Sequence, residues 1–444
     1  MAAYFIEALR NQFEETDSWR HFANPRDGAA ARLTYSFMTR VPDGTSDEFG
    51  DPEDSFMTYI ASERAEVERG LARYESVANI RFARVGGEAD INFGQFDIDE
   101  GMAGYAFYPM YDKTSGVLRP GEVWLDYPDG VLDRYVIIHE IGHALGLKHS
   151  FREEEDDADV PVLPGWEDNG RNTVMSYDRD GEDRGLGLFD VIALQSIYGP
   201  ARSRRGDNTY EFGEDKLIWD GGGEDRITAR GSERGVTIDL AGGSWNHEGA
   251  KGRSLLWEGQ VFLGHFTEIE HATGGRHDDR LSGNGLRNRL DGGDGDDRLS
   301  GRAERDRLSG GDGNDALRGG AGDDRLLGGA GADLLEGGAG ADLLRGGAGA
   351  DRFVFERLAS SAAAAGDLIF DFARGEGDRI DLSGIGGLTF LGRSTFSGVA
   401  GEARYDHRAA EGTRLVIDGD GDGVPDFRLA FDGRITLRED DLIL

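Results

Sequence analysis

A chain of 444 residues is too long for one ordinary core, so two or three domains are expected. Cysteine is absent, which excludes a disulfide framework and a cysteine switch over any metal site. The formal charge of −36, from 85 acidic against 49 basic residues, argues against nucleic acid or an anionic membrane surface as partner and leaves divalent cations as the natural counter-charge.

The amino terminus, M-A-A-Y-F-I-E-A-L-R-N-Q-F-E-E, reads as a short amphipathic helix. Acids stand where a secretory signal needs a basic start and a long apolar run, so export by the general secretory route is not expected. No stretch is apolar for long enough to span a membrane. Residues 1–32 are read as a lead segment, the remnant of a short propeptide. Leu33 to Phe37 then alternates like a strand, Glu63 to Ala78 carries apolar residues at helical spacing, and strands follow at 80–82 and 90–94. Gly101–Ala106 and Glu122–Asp126 are expected to pair. This order predicts a mixed α/β domain over residues 33–200.

Within that domain the stretch Tyr135 to Ser150 reads Y-V-I-I-H-E-I-G-H-A-L-G-L-K-H-S. His139 and His143 are four apart, so on a helix they stand one turn apart on one face and can reach the same ion. Glu140 is placed to hold and deprotonate a water at that ion, the general-base role of the H-E-x-x-H spacing. Gly146 can take the left-handed conformation that ends a helix, and the turn brings His149 round as a third imidazole. Three neutral imidazoles with a fourth position open describe a catalytic zinc site, and hydrolysis is the reaction it prepares. Glu153 to Asp159 is an acid run read as a solvated loop. Phe189 to Tyr198 is helical by period and stops at Gly199-Pro200, where the domain is expected to end.

Residues 201–273 form a β-rich connecting segment, and from Gly274 to Val354 a nine-residue period runs unbroken. Its best copies read G-G-D-G-D-D-R-L-S, G-G-D-G-N-D-A-L-R and G-G-A-G-D-D-R-L-L. Periodicity decides for structure over disorder: each glycine half is a tight turn and each x-Leu-x half a short strand of a parallel β-roll. With two units per turn, Asp297, Asp315, Asp333 and Asp351 fall in one row and Asp306, Asp324 and Asp342 in the other. Such rows repel unless Ca²⁺ sits between successive turns. The unit at Gly283, with Asn288 in the aspartate place, and the unit at Gly301, with Arg302 and Glu304 for glycine, depart from the pattern. Residues 355–444 read as a β cap, in which Asp418, Asp420, Asp422 and Asp426 imitate an EF-hand opening but lack its closing glutamate, since Leu429 stands there.

The histidine stretch matches the long metzincin pattern H-E-x-x-H-x-x-G-x-x-H, which calls for a methionine turn further on, and Thr173-Val174-Met175-Ser176-Tyr177 supplies it. Together with the glycine-rich nonapeptides, and with Arg204 to Asn208 and Ile218 to Asp225 resembling a first calcium-binding stretch, the chain resembles the serralysins, calcium-dependent zinc proteases that bacteria secrete. The resemblance implies one catalytic zinc on His139, His143 and His149, Glu140 as base, and Tyr177 as a removable ligand that turns to stabilise the oxyanion. It implies several structural Ca²⁺ ions, with Asp220 and Asp225 among their ligands beside the two rows. It further implies protein or peptide substrates, a monomer, and secretion through an ABC-type one-step exporter reading an uncleaved C-terminal signal, for which Asp441-Leu442-Ile443-Leu444 has the form. The competing reading is a calcium-binding surface or adhesion protein with a relic protease domain, and the complete set of zinc ligands, base and Tyr177 speaks against it. A lipase-like enzyme would need a G-x-S-x-G elbow, and the sequence has none.

Overall fold

The computed structural model describes residues 4–9, 29–42, 45, 52–98, 102–107, 110–112, 117–127, 132–152, 161–178, 185–201, 206–361, 366–408 and 412–444. The acid run 153–159 and Arg204-Arg205 lie outside the described residues. The chain divides into two compact units: the first runs to Ser203 and includes Trp219–Gly221 and Gly264–Thr267, and the second takes the remainder. Among the described residues no helix is long and apolar enough to cross a membrane.

In the first unit, β1 (Ala31–Phe37), β2 (Ile80–Arg84), β3 (Ile91–Phe96), β4 (Gly104–Phe107) and β5 (Gly121–Asp126) form a sheet in the order β2-β1-β3-β5-β4. All pairs are parallel except β4 with β5, which is antiparallel and puts β4 at an edge. Every residue of β3 is buried, as a central strand covered on both faces requires. The sheet is accompanied by α1 (Tyr4–Leu9), α2 (Ala61–Val77), α3 (Arg134–Ala144) and α4 (Leu188–Tyr198), and by a single helical turn at Pro52–Ser55. The Glu63 carboxylate accepts the Ile60 amide at 2.7 Å and closes the first turn of α2. Further along α2, Gly70 permits close approach to α3, because a Cβ there would lie 3.0 Å from both Ile137 and Ile141. The amino-terminal helix is part of this packing. Phe5, Ile6, Ala8 and Leu9 are buried, the Phe5 ring stacks on Phe189 at 5.2 Å, and the Tyr4 hydroxyl donates to Glu167 at 2.6 Å.

The second unit is all-β. Two sheets, of 12 and 11 strands, are built largely from parallel pairs with a register of 18 residues. In one, Leu290, Leu308, Leu326 and Leu344 stack in a column; in the other, Leu281, Leu299, Leu317, Leu335 and Phe353 do. All are buried, so the inward-facing apolar residue of each repeat builds the core of the roll. The turns need glycine where they stack: Gly311 has φ 122°, and a Cβ there would lie 1.9 Å from the Gly293 carbonyl oxygen. A meander of Glu402–Arg408, Gly412–Asp418 and Phe427–Phe431 extends the 12-stranded sheet through Asp367–Ile369. The other sheet ends on the chain's own C-terminal strand, Leu442–Ile443, paired in parallel with Arg379–Asp381. A mixed α/β domain followed by an all-β parallel roll with a β cap is therefore the architecture.

Candidate metal centre

Helix α3 starts at Asp133, whose carboxylate caps it by accepting the Tyr135 amide at 2.8 Å. It stops one residue before Gly146, which has φ 93° and turns the chain back toward the helix. That turn brings the Nε2 atoms of His139, His143 and His149 within 3.0 to 3.1 Å of one another. The Nδ1 of His139 faces the Val174 carbonyl at 2.7 Å and that of His143 faces the Leu147 carbonyl at 2.9 Å. A ring nitrogen against a carbonyl must carry the proton, so both Nε2 atoms present lone pairs. Burial and the two neighbouring imidazoles also hold His143 well below the usual histidine range, in the neutral form that ligates metal. Lone pairs converging in this way repel unless a cation lies between them. The three atoms are close enough for one point to stand at the ~2.0–2.1 Å of a Zn–N bond from all of them, so the donor set fits zinc.

Beside the triad, Glu140 is buried, and its Oε2 has no hydrogen-bond partner among the described residues. Burial pushes its carboxyl up to about 8. Edge strand β4 runs alongside at Gly104, where a Cβ would lie 3.1 Å from Glu140 Cγ and 2.9 Å from Val136 Cγ1. Tyr177 is 65% exposed, with its ring centroid 4.7 Å from that of His149 and 5.7 Å from that of His139, so the phenol stands at the rim of the triad. Phe151 stacks on His149 at 5.0 Å and also meets the Tyr177 ring at 4.7 Å.

Met175 lies under the helix. A Cβ on Gly142 would be 2.8 Å from its sulfur, so Gly142 and the methionine turn make room for each other. Asp190 of α4 holds this turn, accepting from Thr173 Oγ1 at 2.5 Å, the Val174 amide at 2.7 Å and the Gly187 amide at 2.8 Å. Burial raises its carboxyl to about 6 against the pull of these three donors. Because Val174 in turn accepts from His139, Asp190 fixes the orientation of an imidazole it does not touch. Sequence reading missed Asp190, although a lone acid at the start of an otherwise apolar helix, F-D-V-I-A-L, was a usable signal. Buried tyrosine hydroxyls complete the frame: Tyr74 donates to Ile138 O at 2.6 Å, Tyr135 to Ser176 O at 2.6 Å and Tyr198 to Leu145 O at 3.0 Å.

Comparison with known proteins agrees with this geometry. The family profile described as Matrixin matches residues 32–156, and Peptidase M10 serralysin C terminal matches residues 193–444. Metallopeptidase AprA of Pseudomonas marginalis is 32% identical over 471 residues, which cover 93% of this chain and 88% of that protein. The chain belongs to the serralysin family. Another serralysin, from Proteus mirabilis, is 33% identical over 94% of this chain and 88% of its own, and serralysin G of Dickeya chrysanthemi is 29% identical over 65% and 66%.

In this serralysin the aspartates of the roll stand in the two rows that the period predicts. Asp297 accepts the Asp279 amide on Oδ1, Asp315 that of Asp297, Asp333 that of Asp315, and Asp351 that of Asp333, at 2.7 to 3.0 Å. Asp306, Asp324 and Asp342 do the same from Asn288 onward, at 2.7 to 2.9 Å. In each of these seven aspartates the other oxygen, Oδ2, is buried with no partner among the described residues. Burial is the chief cause of their raised pKa values: Asp297 reaches about 8, Asp306, Asp333 and Asp342 about 7, Asp351 about 6, and Asp315 and Asp324 rise as well. The rows are also longer than expected. Asp279 and Asp378 extend the first, while Asp225, Glu270 and Asp367 belong to the second. Asp279 and Glu270 were findable by stepping back one 18-residue turn from Asp297 and Asn288; Asp225, Asp367 and Asp378 stand off the period. Asp220 is buried and falls in the first unit.

The two irregular repeats close their turn with their own side chains. Arg302 and Glu304 keep the left-handed conformation at φ 82° and 71°, and the Arg302 guanidinium forks onto Asp239 at 2.8 and 2.9 Å while donating to Gly283 O at 2.6 Å. Asn288 donates its amide to Glu270 O at 3.2 Å and to Asn284 Oδ1 at 3.1 Å. In the C-terminal cap, Asp418, Asp420 and Asp426 cluster at a hairpin turn, yet the turn's own amides occupy them: Gly421 and Gly423 donate to Asp418, Asp422 to Asp420 and Gly419 to Asp426.

Proposed function

We propose that His139, His143 and His149 hold a catalytic zinc ion, that Glu140 is the general base and that Tyr177 supports the developing oxyanion. The chain is a secreted metallopeptidase of the serralysin type, and these assignments say how it would work. Zinc, when bound, supplies Lewis acidity to water and to the scissile carbonyl. Glu140 receives the proton of the attacking water on its unpartnered Oε2 and passes it to the departing amine. Burial alone raises its pKa, and a cation held by the neighbouring imidazoles would favour the carboxylate form that a base needs. Tyr177 reaches over the triad from the exposed side and donates to the oxyanion. An extended substrate can add to the open edge of β4, which Gly104 brings alongside Glu140.

The observation that carries this reading is the convergence of proton-free Nε2 atoms next to a buried carboxylate with an unused oxygen. It also favours a working enzyme over an adhesion protein with a relic site, since nothing in a relic maintains such strain. Glu140→Gln is the test: zinc content by elemental analysis should match the wild type while casein hydrolysis falls by roughly 10²-fold or more. Hydrolysis near the wild-type rate would remove Glu140 from the base role.

We further propose that the unpartnered Oδ2 atoms of both rows, with turn carbonyls, bind several structural Ca²⁺ ions. Export through a one-step ABC-type transporter then follows from cation supply, because the roll stays open where Ca²⁺ is scarce and folds outside. The folded C-terminus pairs as a strand and Asp441 binds Arg374, so an exporter reading Asp441 to Leu444 would meet them before folding.

A further inference from the structure

We propose that the 12-stranded sheet of the roll carries a docking surface for a linear acidic polysaccharide of the polyuronate type, read by Arg289, Arg307 and Arg325. These three arginines occupy one register position in successive turns, Arg289 opposite Arg307 and Arg307 opposite Arg325, and all are exposed. Adjacent strands place them ~4.8 Å apart along the roll axis. Like charges directly opposite one another cost stability, so a column of this kind calls for a partner. Among the described residues none of the three has an ion pair, although other arginines of the same roll do: Arg302 with Asp239, Arg305 with Asp323, Arg318 with Glu336 and Arg345 with Asp371. In a chain of net charge −36, acids to neutralise the column were abundant, and it is left open.

A groove of about 610 Å³ runs beside the column, and Leu327, Leu343 and Phe370 line it together with the arginines. Leu327 is 41% and Phe370 43% exposed, so an apolar strip lies next to the charges. The direction of the column chooses the occupant. It crosses the strands on a sheet face, where no free backbone is available for strand addition. An extended acidic peptide repeats its same-side carboxylates every ~6.6–6.8 Å, which loses step with a ~4.8 Å ladder after two residues. A polyuronate carries one carboxylate on every ring of a stiff chain, and its C–H faces suit Phe370 and Leu327. Repulsion from the acidic remainder of the surface leaves this column as the place where such a polymer lands. The arginine column of the other sheet is shorter, since Arg280 and Arg298 are followed by Ala316 and Leu334, and Glu233 and Asp278 lie in the same depression.

The test uses the full chain at fixed calcium concentration, titrated by calorimetry with a short oligogalacturonate, a neutral oligosaccharide of the same length and poly-Glu of the same charge. The wild type is expected to bind the oligogalacturonate, in preference to the other two, and less tightly as salt rises. Arg289→Gln/Arg307→Gln/Arg325→Gln should lose about tenfold in affinity or more, three exposed ion pairs being worth a few-fold each. Its casein hydrolysis and circular dichroism should match the wild type. Arg280→Gln/Arg298→Gln, on the other sheet, should lose less than about threefold through general charge alone. Absence of oligogalacturonate binding, poly-Glu binding of equal strength, or a triple variant that binds as the wild type does, as a calcium-bridged contact would allow, overturns the proposal.

Discussion

Removing calcium and lowering the pH should act on the roll in opposite directions. Take the full chain in chelator at about pH 8, where all seven row aspartates that the period predicts are pressed toward ionisation. Each buries an oxygen without a partner, and four of them, Asp297, Asp306, Asp333 and Asp342, have folded-state values of about 7 or 8 against a usual 3.8. A raised carboxyl means that the folded state holds its proton more tightly than the unfolded state does. Stability in chelator is therefore greatest near the usual aspartate value and falls as pH rises toward 7 or 8. A shift of three units is nominally about 4 kcal/mol, and discounting two-thirds of it for water and screening at the turns leaves about 1.4 kcal/mol per group. Over these four groups the cost is on the order of 5 kcal/mol, comparable with the whole stability of a marginal domain. Far-UV circular dichroism should then show loss of β-structure in chelator at about pH 8, its recovery on adding Ca²⁺ but little on adding Mg²⁺, and partial recovery without any cation at about pH 5.5. Sedimentation at the lower pH separates refolding from precipitation, since the sequence pI is 4.5. A chain equally folded in chelator at both pH values, or equally unfolded at both, refutes the account of the rows as uncompensated charge.

Tyr177→Phe should lower kcat by roughly a hundredfold while KM changes little, because one donor to the oxyanion is lost and the ring still packs on His149; equal kcat would reduce Tyr177 to packing. Asp190→Ala frees the methionine turn, so zinc affinity measured by competition with a chelating dye should fall by roughly 10- to 100-fold, with no change expected if Val174 orients His139 unaided. Restoring the repeat pattern with Asn288→Asp/Arg302→Gly should raise the calcium stoichiometry in equilibrium dialysis above that of the wild type; an unchanged count would mean that Arg302 does not stand in for an ion.

Legibility in the sequence followed distance along the chain. His139, Glu140, His143 and His149 span eleven positions, so helical period and one glycine turn were enough to bring them together before any tertiary contact was known. The aspartate rows are long-range in space yet repeat every 18 residues, and a strict period carries that information locally. Asp190 has neither advantage. Its link to His139 passes through Val174, and only the packing of α4 under the turn reveals it. Asp367 was hidden because it follows Asp342 by 25 residues, off the period, whereas Glu270 stands one 18-residue turn before Asn288 but carries Glu where the pattern has Asp. Tyr4–Leu9 is helical, as read, while the rest of residues 1–15 lies outside the described residues, and nothing local says that Phe5 will stack on Phe189 or that Tyr4 will reach Glu167. Arg302 is the instructive intermediate: the departure from glycine was visible, while the ion pair to Asp239 that accompanies it was not.

The two centres differ in what they bury, and removal of metal should separate them. At the triad the groups waiting for a cation are imidazoles, which the environment keeps neutral, as the depressed value of His143 shows. Taking the ion away leaves lone pairs facing one another beside a single buried carboxyl, Glu140, which burial pushes up to about 8 so that it holds its proton at neutral pH; the result is a polar mismatch rather than a row of buried charges, and the frame of Tyr74, Tyr135, Tyr198 and Asp190 bonds is untouched. In the rows the waiting groups are carboxylates, and an empty site leaves charge in a low-dielectric turn, the far costlier state. A zinc-selective chelator should therefore abolish casein hydrolysis with little change in circular dichroism or in the thermal midpoint of the roll. A calcium-selective chelator should lower that midpoint by tens of degrees before zinc content falls, since a loss of several kcal/mol moves Tm by several times the ~2–8 °C that one kcal/mol does. If stripping zinc instead melts the roll, or stripping calcium leaves its midpoint in place, the distinction between neutral and charged waiting groups is wrong for this protein.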